Sequence, residues 1–227
     1  MNPEIRPVRS ADGSFTLKNL DLNEHYHSLD GALEESYHVY IKNGLLELNK
    51  SKKQIKVFEL GLGLGYNAFL SLKIAEERSI KMEYYTCESF PLDFEDIIKW
   101  GILNSGIEKE AHENFKKIHR SEWEILKPLN LYFSLFKTKE PIETLEMPSL
   151  RGLIDIIYFD AFAPSKQPDI WSPKILKKCF DLLRIGGILV TYCSQGQFKR
   201  NLASIGFVIE TKIGFGNKRE MTLAVKS

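Results

Sequence analysis

The sequence predicts an α/β fold, a mostly parallel sheet that ends in a C-terminal antiparallel hairpin. From Gln54 onward, short β-branched or aromatic runs alternate with helical stretches, the pattern of βαβ units. Residues 154–159 are nearly continuously apolar, as a strand buried on both faces has to be. The last two strands, 207–213 and 221–225, are joined by a short glycine-containing loop with no helix, so they must pair antiparallel.

Composition sets the frame for these elements. The 227 residues are 43% hydrophobic and 27% charged, with a formal net charge of +1. That describes one soluble globular domain and excludes disorder, collagen-like structure and coiled coil. No apolar run is long enough to span a bilayer, and Met1 to Arg6 lacks the layout of a secretory signal, so a cytoplasmic location without membrane contact is expected. Three cysteines, Cys87, Cys179 and Cys193, form no C-x-x-C pair, which suits buried free thiols in a reducing compartment. Near-neutral charge argues against a general nucleic-acid coater but leaves room for a local cationic face.

Residues 1–50 read as an N-terminal lead-in that packs on a catalytic domain, 51–227. The run 50–53 is a polar turn before the first strand, 55–60. That strand ends at a glycine turn and is followed by a helix over 67–78 with Phe69, Leu70, Leu72 and Ile74 as apolar positions. A second strand covers 82–88, followed by a helix carrying Phe94, Ile97, Ile98 and Leu103, and a third strand is expected at 129–136. After the central strand, Ser172 caps a helix opened by Pro173, which runs to Arg184 and stops at Gly186-Gly187. A strand at 188–192 and a helix at 197–204 precede the final hairpin.

Two loops carry the chemistry. Glu59-Leu60-Gly61-Leu62-Gly63-Leu64-Gly65 follows the first strand and opens the first helix, where glycines let backbone amides approach a ligand. Its G-x-G-x-G spacing, with Glu59 ahead of it, differs from a dinucleotide fingerprint and resembles the S-adenosyl-L-methionine loop of methyltransferases. The terminal hairpin likewise resembles the class I methyltransferase fold, a Rossmann-like sheet. Glu88, ending the second strand, is positioned to accept hydrogen bonds from ribose hydroxyls. The second loop, 160–171, follows the central strand, whose end faces the ligand crevice of an open α/β sheet. Asp160 there can hold an amine, and Phe162 or Trp171 can pack on an aromatic base.

Taken together, Leu33-Glu34-Glu35-Ser36, the 59–65 loop, Cys87 to Leu92, Asp160 to Lys166 with Pro168 and Trp171, and Gly214-Phe215-Gly216 with Lys218-Arg219-Glu220-Met221 resemble the methyltransferase component of the MnmC family. The resemblance spans most of the chain. It implies methyl transfer from S-adenosyl-L-methionine to the amine of 5-aminomethyl-2-thiouridine in tRNA, by a methyltransferase standing without the family's flavin-dependent oxidase domain. It also implies cofactor contacts from Glu59, Gly61, Gly63, Gly65, Glu88 and Asp160, and catalysis by Asp160 and Phe162. Acceptor contacts fall on Lys166, Trp171, Phe215, Lys218 and Arg219. The implied partners are tRNA, through its anticodon region, and a separate oxidase or the upstream wobble-uridine enzymes.

In the displacement so implied, the amine lone pair attacks the S-methyl group. A free amine at pH 7 costs about 3 pK units, or about 4 kcal/mol. Asp160, with a reference pKa of about 3.9, is poorly matched to proton removal, so orienting the amine and stabilising the developing ammonium is its expected part. Cations at Arg6, Arg9, Lys199, Arg200 and Lys212 are further phosphate-contact candidates. The family's Gly-Asp pair has no counterpart in 133–138, which leaves the adenine contact unassigned. His25, His27 and His38 form no metal-ligand spacing, and no metal is expected. The competing readings are a methyltransferase of a small-molecule amine, an NAD-dependent oxidoreductase and a non-catalytic cofactor-binding module.

Overall fold

The computed structural model describes residues 3–48 and 51–227. Lys50 of the polar turn and Met1-Asn2 lie outside the described residues. The lead-in is an antiparallel sheet of β1 (Ile5–Arg9), β2 (Phe15–Asn19) and β3 (Glu24–His25). A turn between β1 and β2 is held by Asp12, whose Oδ1 accepts from the Ser10 hydroxyl and from both the amide and the hydroxyl of Ser14. Helix α1 (Ala32–Ser36) then runs into a π-helical segment, Tyr37–Lys42. Leu17, Ala32, Val39, Tyr40 and Ile41 are buried in the same cluster as Val57, Leu72 and Tyr84, so the lead-in shares the main core.

The main sheet contains β4 (Gln54–Leu60), β5 (Lys81–Cys87), β6 (Lys127–Pro128), β7 (Phe133–Thr138), β8 (Ile154–Phe159), β9 (Leu183–Thr191), β10 (Phe207–Ile213) and β11 (Glu220–Lys226). Their spatial order is β10-β11-β9-β8-β4-β5-β7-β6. The inner strands β9-β8-β4-β5-β7 are parallel, while β11 runs against β9, β10 against β11 and β6 against β7. Every residue of β8 is buried, as its apolar run predicts. Alternate residues of the central strands face two core clusters, with Val57, Ile156 and Tyr158 on one side and Phe58, Ile157 and Phe159 on the other. Helix α2 (Tyr66–Arg78) packs into the first cluster, and α5 (Pro173–Leu182) and α6 (Gly196–Ile205) into the second. Chain order reverses direction between β4 and β8, the switch point where such sheets bind ligands.

The structure corrects two boundaries and one helix cap. The third strand begins at Phe133 rather than 129, because Asn130 Oδ1 accepts from the Tyr132 and Phe133 amides and holds a turn there. Gly186 and Gly187 do not stop a helix. Helix α5 ends at Leu182, and both glycines lie inside β9 at a register shift against β8, where glycine marks a bulge. Ser172 occupies the N-cap position with extended backbone but makes no side-chain cap bond. Helices α3 (Phe94–Lys99) and α4 (His112–Arg120) lie between β5 and β6, and the sequence reading foresaw only the first. Among the described residues, no helix is long and apolar enough to cross a membrane, and no group of three His, Cys, Asp or Glu is arranged to hold a metal.

Candidate active site

The loops after β4, β5, β7, β8 and β9 open into one cleft of about 1140 Å³, roofed by residues 19–30 of the lead-in. The glycine turn makes its floor. Gly61 has φ +83°, and a Cβ there would lie 2.9 Å from the Asp160 carbonyl oxygen. Backbone of the first loop and backbone of the Asp160 loop therefore touch, a contact open to glycine alone. Gly63 also has positive φ, and its N–H donates to Glu88 Oε2 at 3.0 Å while the Phe90 N–H donates to Oε1 at 2.8 Å. Burial pushes the Glu88 pKa up, against the pull of these amides.

Asp160 sits where β8 ends. Tyr40 Oη donates to its Oδ1 at 2.7 Å and Asn67 Nδ2 to its Oδ2 at 2.7 Å. Burial nonetheless dominates and pushes the carboxyl up to about 7; Glu35 pushes the same way, and Lys218 pulls down. Beside it, Phe162 meets Tyr26 edge to face at 4.9 Å between centroids. Trp171 holds the loop from beneath: its indole N–H donates to Phe162 O at 2.8 Å, and its ring packs among Phe159, Phe198 and Tyr192.

The cleft brings together Gly61, Gly63, Glu88, Asp160, Phe162 and Lys218 from the sequence expectations, and it does not include the others. Glu59 lies fully buried below the floor, beside the polar side chains of Asn67, Tyr84 and Thr86. Burial, and after it the nearby Asp160, push its pKa well up against the pull of those neighbours. Gly65 is the left-handed N-cap of α2, where a Cβ would crowd His119. Trp171 is 5% exposed and belongs to the core, so the structure corrects its assignment to the acceptor. Phe215 packs toward His38, 5.8 Å between ring centroids. Lys166 closes a turn through its N–H to Ala163 O, and Arg219 is exposed on the hairpin loop.

Sequence reasoning missed several wall residues. Tyr26, Glu35, Tyr192 and Glu143 line the cleft, and Tyr40 and Asn67 hold Asp160. Glu143, five residues beyond β7, brings a carboxylate from the segment after the third strand, where 133–138 offers none. Glu35 had a signal in the Leu33–Ser36 motif, and Asn67 had one in following the glycine loop. Tyr40 had none.

Seven carboxylates line the cleft (Asp21, Glu24, Asp30, Glu35, Glu88, Glu143 and Asp160) against one lysine, Lys218, among the described residues. That field favours a ligand carrying ammonium and sulfonium and opposes a pyrophosphate, which argues against the dinucleotide reading. The cradle at Gly61 and Gly63 and the Glu88 carboxylate beside it fit S-adenosyl-L-methionine, with Glu88 able to accept from a ribose diol.

A family model described as S-adenosyl-L-methionine-dependent methyltransferase matches residues 105–227. The tRNA 5-methylaminomethyl-2-thiouridine biosynthesis bifunctional protein MnmC of Ralstonia nicotianae is 30% identical over 211 residues, covering 88% of this chain and 31% of that protein. Its counterpart in Cupriavidus necator is 27% identical, covering 96% and 34%. The chain thus spans about a third of the length of these curated relatives. The crystal structure of MNMC2 from Aquifex aeolicus superposes with a TM-score of 0.82 at 25% identity, covering 100% of this chain and 72% of that one. Spermidine synthase from Thermotoga maritima shares the fold at TM-score 0.55 and 13% identity, covering 98% of this chain and 72% of that one. The acidic cleft suits a sulfonium donor and the family match covers more than half of the chain; the chain belongs to the S-adenosyl-L-methionine-dependent methyltransferases.

Proposed function

We propose that the chain methylates the exocyclic amine of 5-aminomethyl-2-thiouridine at the tRNA wobble position, giving 5-methylaminomethyl-2-thiouridine. The observation that carries this reading is the Asp160 carboxyl on the cleft floor, fixed by Tyr40 and Asn67 beside the glycine turn and Phe162. The names of the MnmC relatives, tRNA 5-methylaminomethyl-2-thiouridine biosynthesis proteins, support the acceptor. When bound, S-adenosyl-L-methionine supplies a sulfonium-activated methyl group.

The chain's own residues do the rest. Gly61, Gly63 and Glu88 hold the donor against the floor. An alkylamine with a reference pKa near 10.4 enters as its ammonium, and Asp160 orients it through a charge-assisted hydrogen bond. A free carboxyl's reference pKa argued against proton removal by Asp160. Burial, which brings it to about 7, supports that step, since a base works best near the operating pH. Phe162, braced edge to face by Tyr26, offers an aromatic surface beside Asp160 for the base. The phosphates stay outside the acidic cleft, with cations such as Lys166 and Arg219 meeting the anticodon region. A tRNA acceptor goes with a cytoplasmic location and with action downstream of an oxidase or of other wobble-uridine enzymes.

Incubation with methyl-labelled S-adenosyl-L-methionine and tRNA from cells lacking this protein, followed by nucleoside mass analysis, tests the reading. Label is expected in 5-methylaminomethyl-2-thiouridine. Label on a polyamine supplied in a parallel incubation, with none in tRNA, would establish the competing acceptor. Glu88→Ala is expected to weaken S-adenosylhomocysteine binding about 10- to 100-fold, the worth of hydrogen bonds to a charged group. Calorimetry that finds the parental affinity in this variant would remove Glu88 from the donor site.

A further inference from the structure

Lys218 reaches the cleft wall from the loop between β10 and β11. Its Nζ donates to Glu35 Oε1 at 2.7 Å and lies 4.2 Å from the Tyr192 ring centroid. Glu35 is buried, and its other oxygen accepts the Ser28 N–H at 2.6 Å. Tyr192 is anchored in turn, its hydroxyl donating to Ala161 O at 2.8 Å, one residue past Asp160. All of these groups line the cleft that contains Asp160 and Phe162.

A backbone-anchored carboxylate beside an aromatic ring is built to seat one ammonium, through charge-assisted hydrogen bonds and the ring's negative face. Here the seated ammonium is the chain's own. The two ends of the pair differ: the Glu35 side chain is 7% exposed and that of Lys218 is 42% exposed, so the lysine is the end free to leave. The loop that carries it stays tied without the pair. The Asn217 amide and side chain donate to Asp30 Oδ2, and His38 Nε2 bonds Ile213 O.

We propose that Glu35 and Tyr192 form an ammonium subsite of the acceptor pocket, filled by Lys218 until the acceptor's own ammonium, on its way to Asp160, displaces it and frees the lysine for a phosphate of the acceptor backbone. The exchange keeps the buried Glu35 carboxylate paired throughout, as its burial demands. The phosphate half of this proposal rests on the reading that the acceptor is an aminomethyl-bearing tRNA; the subsite itself requires only a primary ammonium.

Titration of the full chain, loaded with S-adenosylhomocysteine, with propylammonium and with 5-aminomethyluridine tests the exchange. Lys218→Met is expected to tighten both probes about 3- to 10-fold, because an internal competitor is gone. Glu35→Gln is expected to weaken both by about 10-fold or more, and the double variant to behave as Glu35→Gln does. S-adenosylhomocysteine affinity should stay at the parental value in all three. Shifts of the same sign in the two single variants, no shift in either, or loss of S-adenosylhomocysteine binding in Glu35→Gln would overturn the proposal, since a pair that merely braces the fold gives one of these. Opposite shifts with propylammonium, but no better binding of 5-aminomethyluridine than of propylammonium, would leave the subsite standing and overturn the tRNA reading.

Discussion

Asp160→Asn is expected to lower kcat for methyl transfer about 10²- to 10⁴-fold, the range for loss of a positioned acid-base group, with little change in S-adenosylhomocysteine affinity. The parent's kcat/KM should fall as pH drops below about 7, where the Asp160 carboxyl takes up a proton. That limb should be missing in the variant. The same substitution should make the fold more stable. The Asp160 carboxyl titrates near 3.8 when unperturbed and near 7 in the folded chain. Between those values the folded chain keeps a proton that the unfolded chain has lost, so stability declines as pH rises through this window and stays reduced above it. About 3 pK units correspond to about 4 kcal/mol. Asparagine carries no such cost. Asn67 can also rotate its amide, because its Oδ1 lacks a partner and can accept from the new amide. The Tm difference between variant and parent is therefore expected near zero at pH 4 and as large as about 10 °C at pH 8. A variant that turns over at the parental rate would remove Asp160 from the chemistry.

Trp171→Ala should cost about 3–5 kcal/mol, the range for deleting a buried aromatic side chain. Its ring sits among Phe159, Tyr192 and Phe198 in the cluster that also contains Leu176 and Leu202. Thermal denaturation should read this directly. Trp171→Phe keeps most of the packing but removes the donor to Phe162 O. It should leave the fold cooperative and S-adenosylhomocysteine binding intact while lowering kcat about 10-fold, because the loop that aims Asp160 and Phe162 loses its tether. A parental Tm for the alanine variant together with weakened acceptor binding would return Trp171 to the acceptor surface.

Strands were legible where burial on both faces leaves no other pattern. The apolar run of β8 and the loop-linked pair β10 and β11 gave the sheet its parallel centre and antiparallel end. Boundaries failed where a side chain overrode the pattern: Asn130 turns the backbone within an otherwise strand-like 129–136. The glycine pair at 186–187 reads locally as a helix stop, yet it serves a bulge against β8, a tertiary demand. The two loops that meet at the cleft floor were legible because glycine spacing and strand-end position are local features. The roof was not. Tyr26 reaches Phe162, Tyr40 reaches Asp160 and Glu35 reaches Lys218 across more than a hundred residues of chain. Glu59 is likewise buried beneath the cleft floor, a tertiary placement that its position before the glycines does not reveal. The Asp160 pKa lay out of reach for the same cause, because burial sets it.

A carbon-13 NMR titration of the Asp160 side-chain carboxyl, in the full chain saturated with S-adenosylhomocysteine, is the most direct test of its part as proton acceptor. An inflection near 7 is expected. One near the unperturbed value of 3.8 would mean a carboxylate ionised at every working pH, and would contradict proton transfer from the amine to this residue.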